Sequence, residues 1–262
     1  MFSLRIECAA EDVERLSGEL WELGAAGIQE LDSGESAVLL VAFESDKQHR
    51  ELLERYAALS PDWEQLDDTD WVAHTQQSWP TRCVGERLLL APAWSQESTP
   101  PGRLRIIHNP GLACGTGEHQ CSQLALMALE QCVRPGDRVL DIGTGSGLLA
   151  IAALRLGANL AIGADPDEEA LVIARGNFEL NQLPSYLAAA SADAFANQSA
   201  DIVVANISGT VLLSILDDLL RIGHTLLLTG FTKHELPVFQ QLLPNSSVLA
   251  LDEWRLIRAD SA

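Results

Sequence analysis

The segment Arg138-Val139-Leu140-Asp141-Ile142-Gly143-Thr144-Gly145-Ser146-Gly147 constrains this chain more than any other stretch. Its first half is an apolar strand, its second half a glycine-rich turn, and Leu148–Leu156 then reads as a helix. Glycine has no Cβ and accepts positive φ, so a turn of this kind brings backbone close to a ligand. Asp165 ends the next short strand about twenty residues on, where an acidic side chain can hold ribose hydroxyls. Apolar runs at 161–164, 186–189, 201–206 and 225–230 alternate with helical stretches, and 247–251 and 254–259 read as a closing strand pair. The alternation predicts an α/β fold, a Rossmann-like sheet covered by helices on both faces.

Two cofactor classes use such a turn. The nicotinamide fingerprint is G-x-G-x-x-G, and here Leu148 stands where its third glycine belongs. Asp141 sits just before the turn, where a carboxylate repels a pyrophosphate and suits a ligand with a cationic amino-acid end. D-x-G-x-G-x-G, with Gly143, Gly145 and Gly147, resembles the loop with which class I methyltransferases hold S-adenosylmethionine. Ligands of open α/β sheets lie at the carboxyl ends of the strands. Asn206, closing Val203-Val204-Ala205-Asn206, is therefore placed to face a transferred methyl and to accept from an incoming amine. It could also cap the helix near 209–220, a task that Ser208 can take instead.

A second glycine-rich loop, 109–119, enters a helix at 122–130 and lacks the Walker lysine. Gly115, Thr116 and Gly117 can wrap the cofactor's amino-acid end. His119 is either a base or a hydrogen-bonding post, and Asp193 either accepts from the adenine amino group or is a solvated loop residue. No cluster of residues suggests a metal.

The first 69 residues read differently. Strands at 3–8, 27–31, 37–43 and 63–66, with helices at 10–23 and 46–59, give the order β-α-β-β-α-β of a ferredoxin-like α+β domain. A connector rich in Trp and Pro follows over 70–102, in which 87–91 and 104–107 could pair as strands, and the catalytic-type domain occupies 103–262. Up to Asp70 there are eighteen Asp/Glu against five Lys/Arg, within a net charge of −20 for the whole chain. That acidity disfavours binding to nucleic-acid phosphates and suits a basic partner, although it also serves solubility. Five cysteines without a C-x-x-C pair argue against a zinc site or disulfide framework and fit a reducing cytoplasm. No apolar run reaches the roughly 18–20 residues that span a bilayer.

Several segments together resemble the ribosomal protein L-11 methyltransferases. They are Asp70-Trp71, Trp79-Pro80, Val84-Gly85-Glu86-Arg87-Leu88 and Pro92-Ala93-Trp94; Pro110-Gly111-Leu112-Ala113 with Gly115-Thr116-Gly117; the Asp141–Gly147 loop with Leu149-Ala150-Ile151-Ala152-Ala153-Leu154; and Val203–Ile207. The resemblance covers nearly the whole chain. It implies a seven-stranded class I methyltransferase domain behind a small substrate-recognition domain. It also implies methylation of lysine or N-terminal amines on ribosomal protein L-11, with cofactor contacts at Ser122, Gly143, Asp165 and Asn206. Three places depart from the family's pattern. Glu118-His119-Gln120-Cys121-Ser122 replaces its Thr-His-Pro-Thr-Thr, Cys114 replaces a Phe, and Asn206-Ile207-Ser208-Gly209 replaces Asn-Ile-Leu-Ala. Ser122 keeps the hydroxyl that cofactor binding uses, whereas Glu118 and Ser208-Gly209 bear on the methyl-acceptor side. The alternatives are a paralogue acting on another protein lysine or a small amine, and a silent module that keeps the fold.

Overall fold

The computed structural model describes residues 2–9, 12–32, 36–43, 45–65, 80–109 and 119–260. The chain divides into two compact units, Met1–Ser78 and Trp79–Ala262.

The first unit runs β1 (Phe2–Ala9), α1 (Val13–Glu22), β2 (Gly27–Asp32), β3 (Ser36–Phe43), α2 (His49–Arg55) and β4 (Asp62–Gln65). Its sheet has the order β2-β3-β1-β4 with every pair antiparallel, which is the ferredoxin-like arrangement. Side chains alternate across a strand. Leu4, Ile6 and Cys8 of β1 and Leu39 and Val41 of β3 accordingly form one buried face, packed with Leu16, Leu20 and Leu52 of the helices. The helix expected over 46–59 is shorter: α2 ends at Arg55 and the chain tightens into a 3₁₀ turn at Ala57–Leu59. Its N-cap, Gln48, makes no side-chain capping hydrogen bond, and at the other end the Tyr56 N–H turns back to Leu52 O and Glu54 O.

The second unit opens with a three-stranded sheet of β5 (Arg82–Val84), β6 (Leu88–Pro92) and β7 (Leu104–His108) in that order. The strands expected at 87–91 and 104–107 do pair, in parallel. Then come α3 (Gln120–Cys132), β8 (Arg138–Ile142), α4 (Leu148–Leu156), β9 (Leu160–Ala164), α5 (Glu168–Leu180), β10 (Tyr186–Ala188) and β11 (Ala200–Asn206). The chain finishes with α6 (Gly209–Ser214), α7 (Leu216–Ile222), β12 (Gly223–Thr232), α8 (Leu236–Leu242), β13 (Ser247–Leu251) and β14 (Trp254–Asp260).

The large sheet has the order β10-β9-β8-β11-β12-β14-β13. It is parallel from β10 to β12, and β14 lies antiparallel to both its neighbours. Val139, Val204 and Leu227 face one layer, with α3, α4 and the small sheet's Leu88 and Ile106. Leu140, Ile142, Val203 and Leu228 face the other, with Leu212, Leu219, Ile222 and Phe239. The strand order reverses between β8 and β11, the topological switch point where such sheets open a crevice. The single helix expected over 209–220 is two helices separated at Ile215. Among the described residues, no helix is long and apolar enough to cross a membrane.

Candidate active site

A cavity of about 610 Å³ opens at the carboxyl ends of β8, β9 and β11. The glycine turn forms its floor. Gly143 has φ +71°, and a Cβ there would run into the Ile207 side chain. Its N–H and that of Thr144 both donate to Ala164 O, at 2.8 and 3.0 Å, which ties the turn to the end of β9. Gly143, Gly145, Thr144 and Ser146 line the cavity. Gly147 does not. It stands at the N-cap of α4 with φ +81°, and its missing Cβ is what lets α5 approach, since Ala174 Cβ would lie 3.1 Å away.

Asp141 is fully buried and also off the lining. Its position alternates with Leu140 and Ile142, so its side chain points into the α4 layer beneath the turn. Thr144 Oγ1 donates to its Oδ2 at 2.7 Å and Ala150 N–H at 3.1 Å. Oδ1 has no partner among the described residues. Burial pushes the Asp141 carboxyl up to about 7, against the pull of those two bonds, with Asp165 nearby adding to the rise.

Asp165 does reach the cavity. Its Oδ2 accepts from Gly145 N–H at 2.9 Å and its Oδ1 from Asp167 N–H at 3.0 Å. Each oxygen keeps a further lone pair. The carboxylate thus sets the turn and remains able to accept. Beyond β10, the lining comes from Ala190, Ser191 and Ala192. Asp193 follows them in a 3₁₀ turn that buries Ala192 and leaves Asp193 exposed, off the lining.

Asn206 and Ser122, assigned from separate segments, are brought into contact: Asn206 Nδ2 donates to Ser122 Oγ at 3.1 Å. That bond orients the amide and leaves Oδ1 as its acceptor. His119 caps α3, its Nδ1 accepting from Cys121 N–H at 3.3 Å, so the neutral ring carries its proton on Nε2. The ring stands edge-on to Trp254, with centroids 4.5 Å apart at 71°. Gln120 Nε2 donates to Asp252 Oδ2 at 2.6 Å and pins the same helix end to the β13–β14 hairpin. Ser208 occupies the N-cap of α6 but makes no capping hydrogen bond with its side chain.

Gly115, Thr116 and Gly117, with Cys114 and Glu118, lie outside the described residues. Sequence reasoning passed over Trp254, Ile207, Val211 and Ile215, all on the lining. They are apolar residues of a strand, a helix and the bends beside them, and only the folded chain gathers them. Among the described residues, no group of three His, Cys, Asp or Glu is placed to hold a metal ion.

The sequence profile of the family described as ribosomal protein L11 methyltransferase (PrmA) matches residues 1–228. The chain belongs to this family. It is similar to the ribosomal protein L11 methyltransferase of Symbiobacterium thermophilum, with 42% identity over 155 residues, 58% of this chain and 50% of that protein. The Burkholderia multivorans protein of the same name is 35% identical over 236 residues, 78% of this chain and 77% of its own length. This chain therefore spans about half the length of the first of these relatives and about three quarters of the second. Among solved structures, the ribosomal protein L11 methylase of Lactobacillus delbrueckii subsp. bulgaricus superposes with a TM-score of 0.63 at 28% identity. The superposition takes in 70% of this chain and 99% of that one. With the seven-stranded sheet, it makes the second unit a class I methyltransferase fold. The family profile stops inside β12, so Trp254 on the lining lies beyond the matched segment.

Proposed function

We propose that this chain transfers methyl groups from S-adenosylmethionine to amino groups of a protein, lysine side chains or an N-terminal amine, and that this protein is ribosomal protein L11. Family membership and the names of the relatives support the reaction and the substrate. One observation carries the reading to this chain. Ser122, Gly143, Asp165 and Asn206, drawn from four separate segments, line a single cavity at the switch point of the sheet.

In this reading the turn's backbone and Asp165 hold the nucleoside, with the carboxylate accepting from the ribose hydroxyls. Ala190–Ala192 take the adenine end. Gly115, Thr116 and Gly117 wrap the amino-acid end. Asp141 and Gly147 act on the turn rather than on the ligand. S-adenosylmethionine, when bound, would supply a sulfonium methyl carbon that an uncharged amine can attack in line, the N–C bond forming as the S–C bond breaks, the electron pair staying with the departing thioether and the methylated ammonium releasing its proton to solvent. Asn206 Oδ1 accepts an N–H of the incoming amine and so aims its lone pair. Ser122 holds the amide in that orientation, and His119 with Trp254 walls the acceptor side. Positioning of this kind supplies much of the rate of a two-reactant step.

The acidic first unit attracts and selects the basic protein substrate, and the cytoplasm is where such a substrate is made. The described cysteines Cys8, Cys83, Cys121 and Cys132 are free, in keeping with that compartment. The test is incubation with radiolabelled S-adenosylmethionine and a whole ribosomal extract, followed by mass analysis of the labelled band. Label on ribosomal protein L11 amines is expected. Label on a different protein would keep the reaction and change the substrate. A chain that binds the cofactor but labels nothing would overturn the activity.

A further inference from the structure

We infer that Asn177 is a positioning residue for the glycine turn, an inference that rests on the reading that S-adenosylmethionine occupies the cavity. β7 pairs with β6 along one edge, and α5 lies along the other. Asn177 on α5 and Asn181 at its C-cap, four residues apart, meet that edge and are only 1% and 2% exposed. Asn181 Oδ1 accepts from Ile107 N–H at 2.9 Å, and its Nδ2 donates to Ile107 O at 2.6 Å. Asn177 repeats the pattern two residues along: Oδ1 accepts from Asn109 N–H at 2.8 Å, and Nδ2 donates to Asn109 O at 3.2 Å. Four helical residues advance about 6 Å and two strand residues about 6.6 Å, so two side-chain amides can stand in for a neighbouring strand. Losing either one takes from the β7 segment a partner for one N–H and one C=O.

The two residues differ in one respect. Asn177 Nδ2 also donates to Ser146 O at 2.9 Å, whereas Asn181 Nδ2 donates to Asn177 O at 2.8 Å, within its own helix. Ser146 lies on the cavity lining, between Gly145, whose N–H binds Asp165, and Gly147, against which Ala174 of α5 packs. A carbonyl fixed at that point fixes the direction of the peptide groups beside it, and those are the groups that meet the nucleoside. Asn177 thereby makes α5 and the β7 segment a support for the turn. Asn181, equally buried and equally bonded to β7, supports the strand alone.

That pairing supplies an internal control. In the full chain, Asn177→Ala and Asn181→Ala should lower the melting temperature by similar amounts. Calorimetry with S-adenosylmethionine should show affinity weakened about tenfold or more by Asn177→Ala and changed by less than about twofold by Asn181→Ala. A readout without cofactor accompanies it: amide hydrogen exchange over 143–147 should quicken in Asn177→Ala and not in Asn181→Ala. Asn177→Asp keeps the acceptor for Asn109 N–H but has no N–H for Ser146 O, and should share the faster exchange. Should Asn177→Ala fail to fold, Asn177→Ser carries the same two measurements. Equal affinity and equal exchange in the Asn177 and Asn181 variants would overturn the inference. A wild-type chain that does not bind the cofactor would overturn the functional reading instead, and the exchange comparison would then decide the turn's support by itself.

Discussion

The two units fold their sheets by opposite rules. In the first, β1 alternates buried and more exposed positions, because helices cover one face only. In the second, the interior of β11 is buried from Ile202 to Ala205, because helices cover both. Antiparallel strands end alternately at either edge, so the first sheet has no single edge where strand ends converge. Parallel strands all end on one side, and there β8, β9 and β11 gather Asp165, Asn206 and the glycine turn around one cavity. The difference in charge runs the same way. Eighteen Asp/Glu stand against five Lys/Arg up to Asp70, and nineteen against twelve over the rest of the chain. The comparison sets out a proposed division of labour: the first unit carries most of the acidic excess and the second the pocket.

The largest test of that division is removal. A chain beginning at Trp79, the start of the second unit, should bind S-adenosylmethionine as the full chain does and methylate the intact protein substrate only at background level. Full-rate methylation by that fragment would dissolve the division. Added salt should weaken capture of the basic substrate by the full chain and leave cofactor affinity nearly unchanged, since exposed charges are screened and buried contacts much less so.

Within the second unit, Asn206→Ala should lower kcat roughly 10²–10³-fold, the scale for removing a group that acts mainly in the transition state. Cofactor affinity should move little. Equal losses in kcat and affinity would mark Asn206 as a cofactor ligand only. Ser122→Ala should show the same signature more weakly, because it removes the hydrogen bond that orients the amide.

Asp165→Ala should weaken the cofactor by about 1–3 kcal/mol, through ribose hydroxyls and Gly145 N–H left unpaired. Unchanged affinity in calorimetry would remove Asp165 from the nucleoside contact and leave it a role in the turn alone.

The smallest effect concerns pH. Asp141 is held at about 7 in the folded chain, against an ordinary value of 3.8. Between those values the folded chain keeps a proton that the unfolded chain has released, so stability falls as pH rises through that window. Asp141→Asn keeps an acceptor oxygen for Thr144 and Ala150 and has nothing to titrate. The melting temperature of the wild type should therefore drop relative to this variant as pH rises from acid towards neutral. A wild type that gains on the variant over the same range would contradict the raised value.

The glycine turn, the strand ends and the first unit's element order were legible from local pattern, since apolar periodicity and turn chemistry are carried by neighbouring residues. The direction of a side chain was not legible in that way. Asp141 and Gly147 belong to the motif by sequence, yet one points beneath the turn and the other against α5. Asp193 is one residue from Ala192 on the lining and faces solvent. Each outcome depends on which face a residue presents once its neighbours have packed, and a single residue's shift reverses it.

By itself the sequence determined the class of fold, because a glycine turn after an apolar strand, an acid at the next strand end and β-α-β-β-α-β order are all local signals, and the likeness of whole segments carried the family. Only the tertiary structure decided the company those residues keep. It set Asn206 against Ser122, 84 residues away in the chain, His119 against Trp254, and Asn177 across the β7 segment and the turn. Hydrogen-bond partners and cavity walls are relations between distant segments. They come into being when strands align at the switch point and helices close over them, and no stretch of the sequence carries them alone.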